Sequence, residues 1–331
     1  MKAQVEGVFD EPPANVHSPV TWFHAGSPTA RPVREEPDRP VAIQMRTPVV
    51  DELDSVVHGL RAWQQDALPI QLHPGDLGWF WRFGPEALAA ALRVWRSNGE
   101  IVACGLLDGP DVFRMTVAPH LWRDEEVAYR VVTDLSRPEC GVLPAGKVAV
   151  EAPDGSLVKE RLPGAGWSAS DAWTPLRRDL SAPVEEAGVR VAVVADAQVS
   201  EFTAVHRAAW GSSRFTDHLW HTMAAGLPYA DAGCLLAYDD AGVPVAGVTV
   251  WSAGHGRPGL LEPLGVHPEH RLRGYGRMVC LAAAAHLREL GSSSATVCTD
   301  RASAVATYRA AGYQQLPVRR DMTRSGAPQS G

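Results

Sequence analysis

Apolar positions along this chain recur at two periods, and the same order of periods runs through it twice. Val41 to Arg46 (VAIQMR) alternates as a strand does, and Thr47-Pro48 opens toward a helix through Arg61. Past a break at Ser181 to Gly188 (SAPVEEAG), VRVAVVAD again reads as a strand, and a helix follows to Trp210. Further on, Leu260 to Val266 reads as a strand. Tyr275 to Leu290 reads as a helix with Met278, Leu281, Ala282 and Ala285 on one face and Gly291 as its stop. Ser294 to Thr299 (SATVCT) is a short buried strand, and Ala302 to Ala311 a helix closed by Gly312. Strands and helices thus interleave along the chain. Residues 1–40 show no sustained period and are rich in Pro, Glu, Asp and Arg. They are expected to be a disordered or extended N-terminal segment, in which Trp22 and Phe23 are the pair suited to docking.

Particular residues repeat as well as periods. Arg61-Ala62-Trp63 closes the first helix of one half, and Ala208-Ala209-Trp210 closes that of the other. Val117-Ala118-Pro119 answers Val266-His267-Pro268, and Gly166-Trp167 with Arg177-Arg178-Asp179 answers Gly312-Tyr313 with Arg319-Arg320-Asp321. These landmarks keep one order at matched spacing, which points to a tandem duplication. The expected division is residues 41–182 and 188–325, each long enough for its own core.

Composition narrows the classes. The 331 residues are 45% hydrophobic and 21% charged, with a formal net charge of −7, which argues against an extended nucleic-acid surface. Cys104, Cys140, Cys234, Cys280 and Cys298 are scattered and contain no C-x-x-C pair, so neither a disulfide framework nor a zinc site is expected, and no metal. The first residues lack the apolar core of a signal peptide, and no apolar run is long enough to span a membrane. The expectation is a cytoplasmic protein without membrane or nucleic-acid partners, as monomer or homodimer.

The densest chemistry lies between Glu262 and Tyr313. After the strand ending at Val266, Arg271, Gly274 and Gly276 make the spacing R-x-x-G-x-G directly before a helix. Glycines admit close backbone approach, and the first amides of the helix then face the ligand with the dipole favouring negative charge. That describes a pyrophosphate site. In the first half the corresponding residues are Trp122, Glu125 and Val127, and acidic Glu125 and Glu126 at the helix start would repel a phosphate. The first copy is expected to have lost the site.

These residues resemble the GCN5-related N-acetyltransferase (GNAT) superfamily, whose Q/R-x-x-G-x-G/A loop follows its fourth strand. Arg271 to Gly276 matches that loop, Val266-His267-Pro268 the step before it, and Glu262-Pro263 a frequent preceding pair. Ala304, Tyr308, Gly312 and Tyr313 match the later signature, and Arg301 stands where asparagine is common. The resemblance implies an α/β fold, of the α+β kind with a mixed sheet, in two tandem GNAT-like domains, the second binding acetyl-CoA and acetylating a primary amine of a small molecule or peptide. It implies cofactor contacts from Leu264, Gly265, Val266, Arg271, Leu272, Arg273, Gly274, Tyr275, Gly276, Arg277, Arg301 and Ala304. Tyr308 would be the proton donor to the departing thiolate, and a backbone amide near Val266, where this family's fourth strand bulges, would polarise the thioester.

Glu262 is the candidate base, with His267 as a rival and strand termination beside Pro263 as the structural alternative. His255, His270 and His286 show no ligand spacing. Trp210, Phe215, Trp220, Tyr229 and Trp251 fall where such a fold frames its acceptor pocket, with core packing as the plainer role for each. Trp79, Phe80, Trp81 and Phe83 are either core or a second pocket, and no acidic cluster stands out. The competing class is a non-catalytic acyl-CoA-binding sensor or scaffold.

Overall fold

The computed structural model describes residues 42–325, so the expected N-terminal segment, with Trp22 and Phe23, lies outside the described residues. The first half runs β1 (Gln44–Arg46), α1 (Leu53–Trp63), α2 (Pro74–Phe80), α3 (Pro85–Ala91), β2 (Leu92–Ser97), β3 (Glu100–Leu107), β4 (Val112–Val117), α4 (Glu125–Ser136), β5 (Val148–Glu151), α5 (Leu157–Arg161) and β6 (Ser168–Asp179). The second runs β7 (Arg190–Val193), α6 (Val199–Trp210), α7 (Asp217–Ala224), β8 (Ala232–Tyr238), β9 (Pro244–Trp251), β10 (Pro258–Val266), α8 (Tyr275–Glu289), β11 (Ser294–Thr299), α9 (Ala302–Ala310), β12 (Gln314–Gln315) and β13 (Arg319–Arg324). The mixed α/β class is as the resemblance implies. Among the described residues no helix is long and apolar enough to cross a membrane.

The landmarks of the two halves coincide in backbone geometry. Helices α1 and α6 end on Trp63 and Trp210. After β4 and β10 the chain turns at Ala118 (φ −52°, ψ 129°) and His267 (φ −53°, ψ 133°), each followed by a proline that opens a short 3-10 turn. Gly166 (φ 87°) and Gly312 (φ 82°) occupy the left-handed region that favours glycine, and each precedes a buried aromatic, Trp167 or Tyr313.

Strand pairing does not respect the division in sequence. The order across the sheet is β1-β2-β3-β4-β5-β13-β6-β11-β10-β9-β8-β7, with β12 on β6. The last strand of each half therefore completes the sheet of the other. Residues 174–179 of β6 pair antiparallel with β11, and Met322, Thr323 and Arg324 of β13 pair with Val150, Ala149 and Val148 of β5. Between these arms β6 and β13 pair with each other, with a register shift between Arg320 and Met322.

The cores interlock in the same way. Met322 is buried with Val148, Val150 and Phe113 of the first half, while Leu176 and Leu180 are buried with Leu261, Val279 and Val297 of the second. Trp79 of α2 joins Phe202, Phe215, Trp220 and Trp251 in a third cluster. Helix α8 buries Cys280, Ala283, Ala284 and Leu287, leaving Met278, Ala282 and Ala285 half-buried at the margins. The apolar stripe is thus turned from the one read in the sequence, because the helix lies along β9 with β8 and β11 beside it.

The exchange has a measurable consequence. Met322→Ala, in the last strand, removes a side chain from the core of the first half and is expected to cost about 2–4 kcal/mol in denaturant unfolding of the full chain. A change below about 0.5 kcal/mol, the range of ordinary surface substitutions, would contradict that packing.

Candidate active site

The site starts from a parting of strands. β10 pairs with β11 in parallel only from Pro258 to Leu260, opposite Ser294 to Thr296, although β10 continues to Val266 and β11 to Thr299. Beyond Leu260 the two diverge and leave a wedge-shaped gap. On its other edge β10 stays paired with β9, with one extra residue between Leu261↔Val250 and Leu264↔Val248. The bulge is therefore at Glu262-Pro263 and not near Val266, which stays in register with Ala246. The cause is local. Pro263 has no amide to give the ladder, and the Trp251 indole Nε1 donates to the Glu262 carbonyl at 2.7 Å.

At the mouth of the gap lies the glycine loop. Leu272 (φ 63°) and Gly274 (φ 89°) both take positive φ and swing the chain into α8, whose first backbone bond inside the loop is Met278 N to Gly274 O at 3.1 Å. Among the described residues the amides of 272–277 have no hydrogen-bond acceptor. They form a cluster of donors at a helix start, the arrangement that suits a pyrophosphate. Gly276 permits close packing, since a Cβ there would lie 3.0 Å from Thr307 Cγ2 and 3.7 Å from Val266 Cγ2.

Arg271 turns back on the protein. Its Nη2 donates to Ala209 O at 2.6 Å and its Nε to Val266 O at 3.2 Å, which ties the loop to the ends of α6 and β10. Leu272 and Arg273 are exposed, and Arg277 donates from Nε to Ala310 O at 2.9 Å. Arg301 lies 5.7 Å above the Trp210 ring, across the gap mouth. Leu264, Val266, Tyr275 and Ala304 pack against the core of the second half. Gly265 approaches α6 so closely that a Cβ would meet Ala209 Cβ at 2.6 Å.

Glu262 enters a charged cluster that the sequence does not display. Arg114 of β4 lies 3.8 Å from Glu262, 3.1 Å from Asp76 of α2, 2.8 Å from Asp108 at the end of β3 and 3.7 Å from Glu151 of β5. Arg319 of β13 adds a second cation, 2.8 Å from Glu151. The Glu262 side chain keeps 31% of its exposure, whereas those of Asp76, Asp108 and Glu151 keep 8%, 6% and 11%. Burial pushes the Glu262 carboxyl up to about 7, Arg114 pulls it down, and Asp76, Asp108 and Glu151 raise it further. A carboxyl titrating there is a base near neutral pH.

Tyr308, on α9, is buried and its phenol is pushed well above its ordinary value, first by burial and then by the charges of Cys280, Glu262 and Cys298. It is held protonated. Cys298 of β11 feels the same surroundings, its thiol pushed up to about 11 mainly by burial, with Glu262 among the charges acting on it. Glu262, Cys298 and Tyr308 thus share one poorly hydrated neighbourhood along the gap.

On the α6 side a shallow recess of about 10 Å³, room for about one water, is lined by Phe202, Val205, His206, Gly247, Pro263 and Gly265. Helix α2 of the first half packs directly on β9 and β10 of the second. A Cβ on Gly75 or Gly78 would fall 2.5 Å or 2.3 Å from atoms of Trp251. Trp79 packs on Phe215 at 4.9 Å, so the first-half aromatics are core: Trp79 in the third cluster, Phe80 and Trp81 in the first, with Phe83 packed against it. Phe215, Trp220 and Trp251 are buried core as well, and Tyr229 is half-buried beside them.

Two nitrogens on consecutive turns of α6, His206 Nδ1 and Trp210 Nε1, are buried without a hydrogen-bond partner among the described residues. Both face the Pro263–Gly265 stretch: His206 lines the recess, and Trp210 Nε1 lies 3.3 Å from where a Gly265 Cβ would stand. His206 is neutral, its imidazole lowered to about 3 by burial and then by Arg82 and Arg207. His206 carried no motif that sequence reading could use.

His267 is a turn residue, its Nδ1 accepting from Glu269 N at 3.4 Å. It also brings one donor atom within 4.8 Å of Glu269 and His270, a convergence missed when His270 was read as lacking ligand spacing. His255 is exposed and His286 half-buried, lying against the backbone at Gly291 and Gly233.

The first copy has no equivalent donor cluster, for a reason beyond its acidic helix start. The Asp124 carboxylate accepts from Glu126 N at 3.0 Å and Val127 N at 2.9 Å, so the helix is capped by its own chain. Trp122 Nε1 donates to Val117 O at 2.7 Å, as Arg271 does to Val266 O in the second copy.

Residues 195–313 match the family model of the acetyltransferase (GNAT) family. No curated protein matches the chain in sequence. Among solved structures, a tandem GNAT protein from the clavulanic acid biosynthesis pathway superposes with a TM-score of 0.56 at 19% identity, over 87% of this chain and 100% of its own. A GNAT-family acetyltransferase from Colwellia psychrerythraea gives 0.55 at 13% identity, over 86% of this chain and 100% of its own. A GCN5-related N-acetyltransferase from Sphaerobacter thermophilus gives 0.52 at 17% identity, over 86% and 97%. At such identities these likenesses speak for the fold. The match places residues 195–313 in the acetyltransferase (GNAT) family, and the fold of the chain as a whole is like that of a tandem GNAT protein.

Proposed function

We propose that the protein transfers an acetyl group from acetyl-CoA to a primary amine of a small molecule, with the second half catalytic and the first a copy that has lost its cofactor loop. The observation that carries this reading is the gap between β10 and β11, with unsatisfied amides at its mouth and Glu262 and Tyr308 along its length. The amides of residues 272–277 would hold the pyrophosphate, with Arg273 as an exposed cation beside them. Glu262 takes a proton from the ammonium form of the acceptor, directly or through water. The backbone where β10 leaves β11 polarises the thioester carbonyl.

Tyr308 donates to the departing sulfur. A phenol raised far above an ordinary thiol would make that transfer uphill, but the gap acts on both partners. The same burial that raises Tyr308 takes Cys298 to about 11, and a thiolate released there loses hydration in the same way. The acceptor approaches Pro263 from the α6 side, with His206 Nδ1 and Trp210 Nε1 as its polar contacts.

Calorimetric titration is expected to find one acetyl-CoA per chain. Gly276→Glu should abolish binding, since it brings a bulky anion to the amide cluster while folding remains measurable by circular dichroism. A second site, or binding that survives this substitution, contradicts the assignment of halves. In a thiol-release assay over a panel of small amines, Glu262→Gln is expected to lower kcat/KM by about 10²-fold or more and to remove its rise through pH 7. Tyr308→Phe should lower kcat. Unchanged turnover in both variants would leave a protein that binds acyl-CoA without using these groups.

A further inference from the structure

The base candidate in the second half faces a cation from the first. Discounting the one extra residue in the β10 bulge, Arg114 stands at the position of β4 that Glu262 occupies in β10, counted back from Val117 and Val266. The duplicated strands thus bring unlike charges together. Arg114 is 14% exposed, and its guanidinium is shared by Asp76, Asp108, Glu151 and Glu262. We propose that Arg114 is the positioning residue of the Glu262 carboxylate, so that the first half completes the active site of the second. The inference rests on the reading of Glu262 as base.

The physical case is one of competition. One guanidinium carries one charge and five donors in a fixed plane, and four carboxylates draw on it. Asp108, the nearest at 2.8 Å, takes much of its field, and Glu262, at 3.8 Å, is the most exposed of the four. Around Glu262 the groups that act on its charge are Arg114 from β4, Asp76 from α2, Asp108 from the end of β3 and Glu151 from β5, while Tyr308 of α9 and Cys298 of β11 feel its charge in turn. Arg319 neutralises Glu151 from behind. Arg114 lowers the Glu262 carboxyl and the three other carboxylates raise it, so changes on the two sides must shift it in opposite directions.

The test is a ¹³C NMR titration of the Glu262 carboxyl in the full chain, assigned with Glu262→Gln, alongside the pH dependence of kcat/KM. Arg114→Gln is expected to move the titration up by about one unit or more, Arg114→Lys to restore part of it, and Asp108→Asn to move it down. The acidic limb of kcat/KM should follow in each variant. Asp108→Asn retains the guanidinium, so it tests the coupling even where Arg114→Gln fails to fold. A Glu262 titration unmoved by Asp108→Asn, or shifted the same way by both substitutions, overturns the proposal. A titration that moves as expected while the rate limb stays fixed overturns the role of Glu262 as base and leaves Arg114 as its partner.

Discussion

The pairing of β6 with β13 is the constraint on which the rest of this structure depends. Each of these strands lies between its partner and the sheet of the opposite half, so the two sheets are joined by main-chain hydrogen bonds over their whole central seam. Side-chain packing between two separate domains leaves room for rocking. A continuous ladder with both cores sewn through it does not, because Met322 and Leu176 are each buried in the core of the other half. Only a join of that stiffness can hold charges from β3, β4, β5 and α2 at fixed distances from a residue of β10.

The first half, on this view, has exchanged one use for another. Its helix start at α4 is satisfied by Asp124, and the strand-end carbonyl held by Arg271 in the second copy is held by Trp122 instead. It contributes α2, whose Gly75 and Gly78 let a helix lie directly on Trp251, and the charges around Glu262. Helix α2 thereby packs on β9 and β10 of the second half.

Much of this was legible in the sequence, and the boundary of what was not has a physical reason. Arg271, Gly274 and Gly276 could be read as a loop before a helix because the chemistry lies within a few consecutive residues. The landmark pairs Trp63 with Trp210 and Gly166 with Gly312 recur in the backbone, since turns and caps are local events. Alternation in β6 and β13 says which face of each strand is apolar but not which strand lies next to it, so the exchange was invisible. The charged cluster draws on residues as far apart as Asp76 and Glu262, and nothing short of the assembled sheet brings them together. The bulge was placed three residues too far along because the family pattern was followed past Pro263, the residue that causes it.

The exchanged strands also govern the order of events as the chain is made. The sheet of the first half lacks one of its inner strands until residues 319–324 have left the ribosome, and until then β5 offers an unpaired edge. Domains that fold one after another during synthesis shield their edges as they go. This chain cannot, so its first half waits, exposed and unfinished, for the last strand of its second.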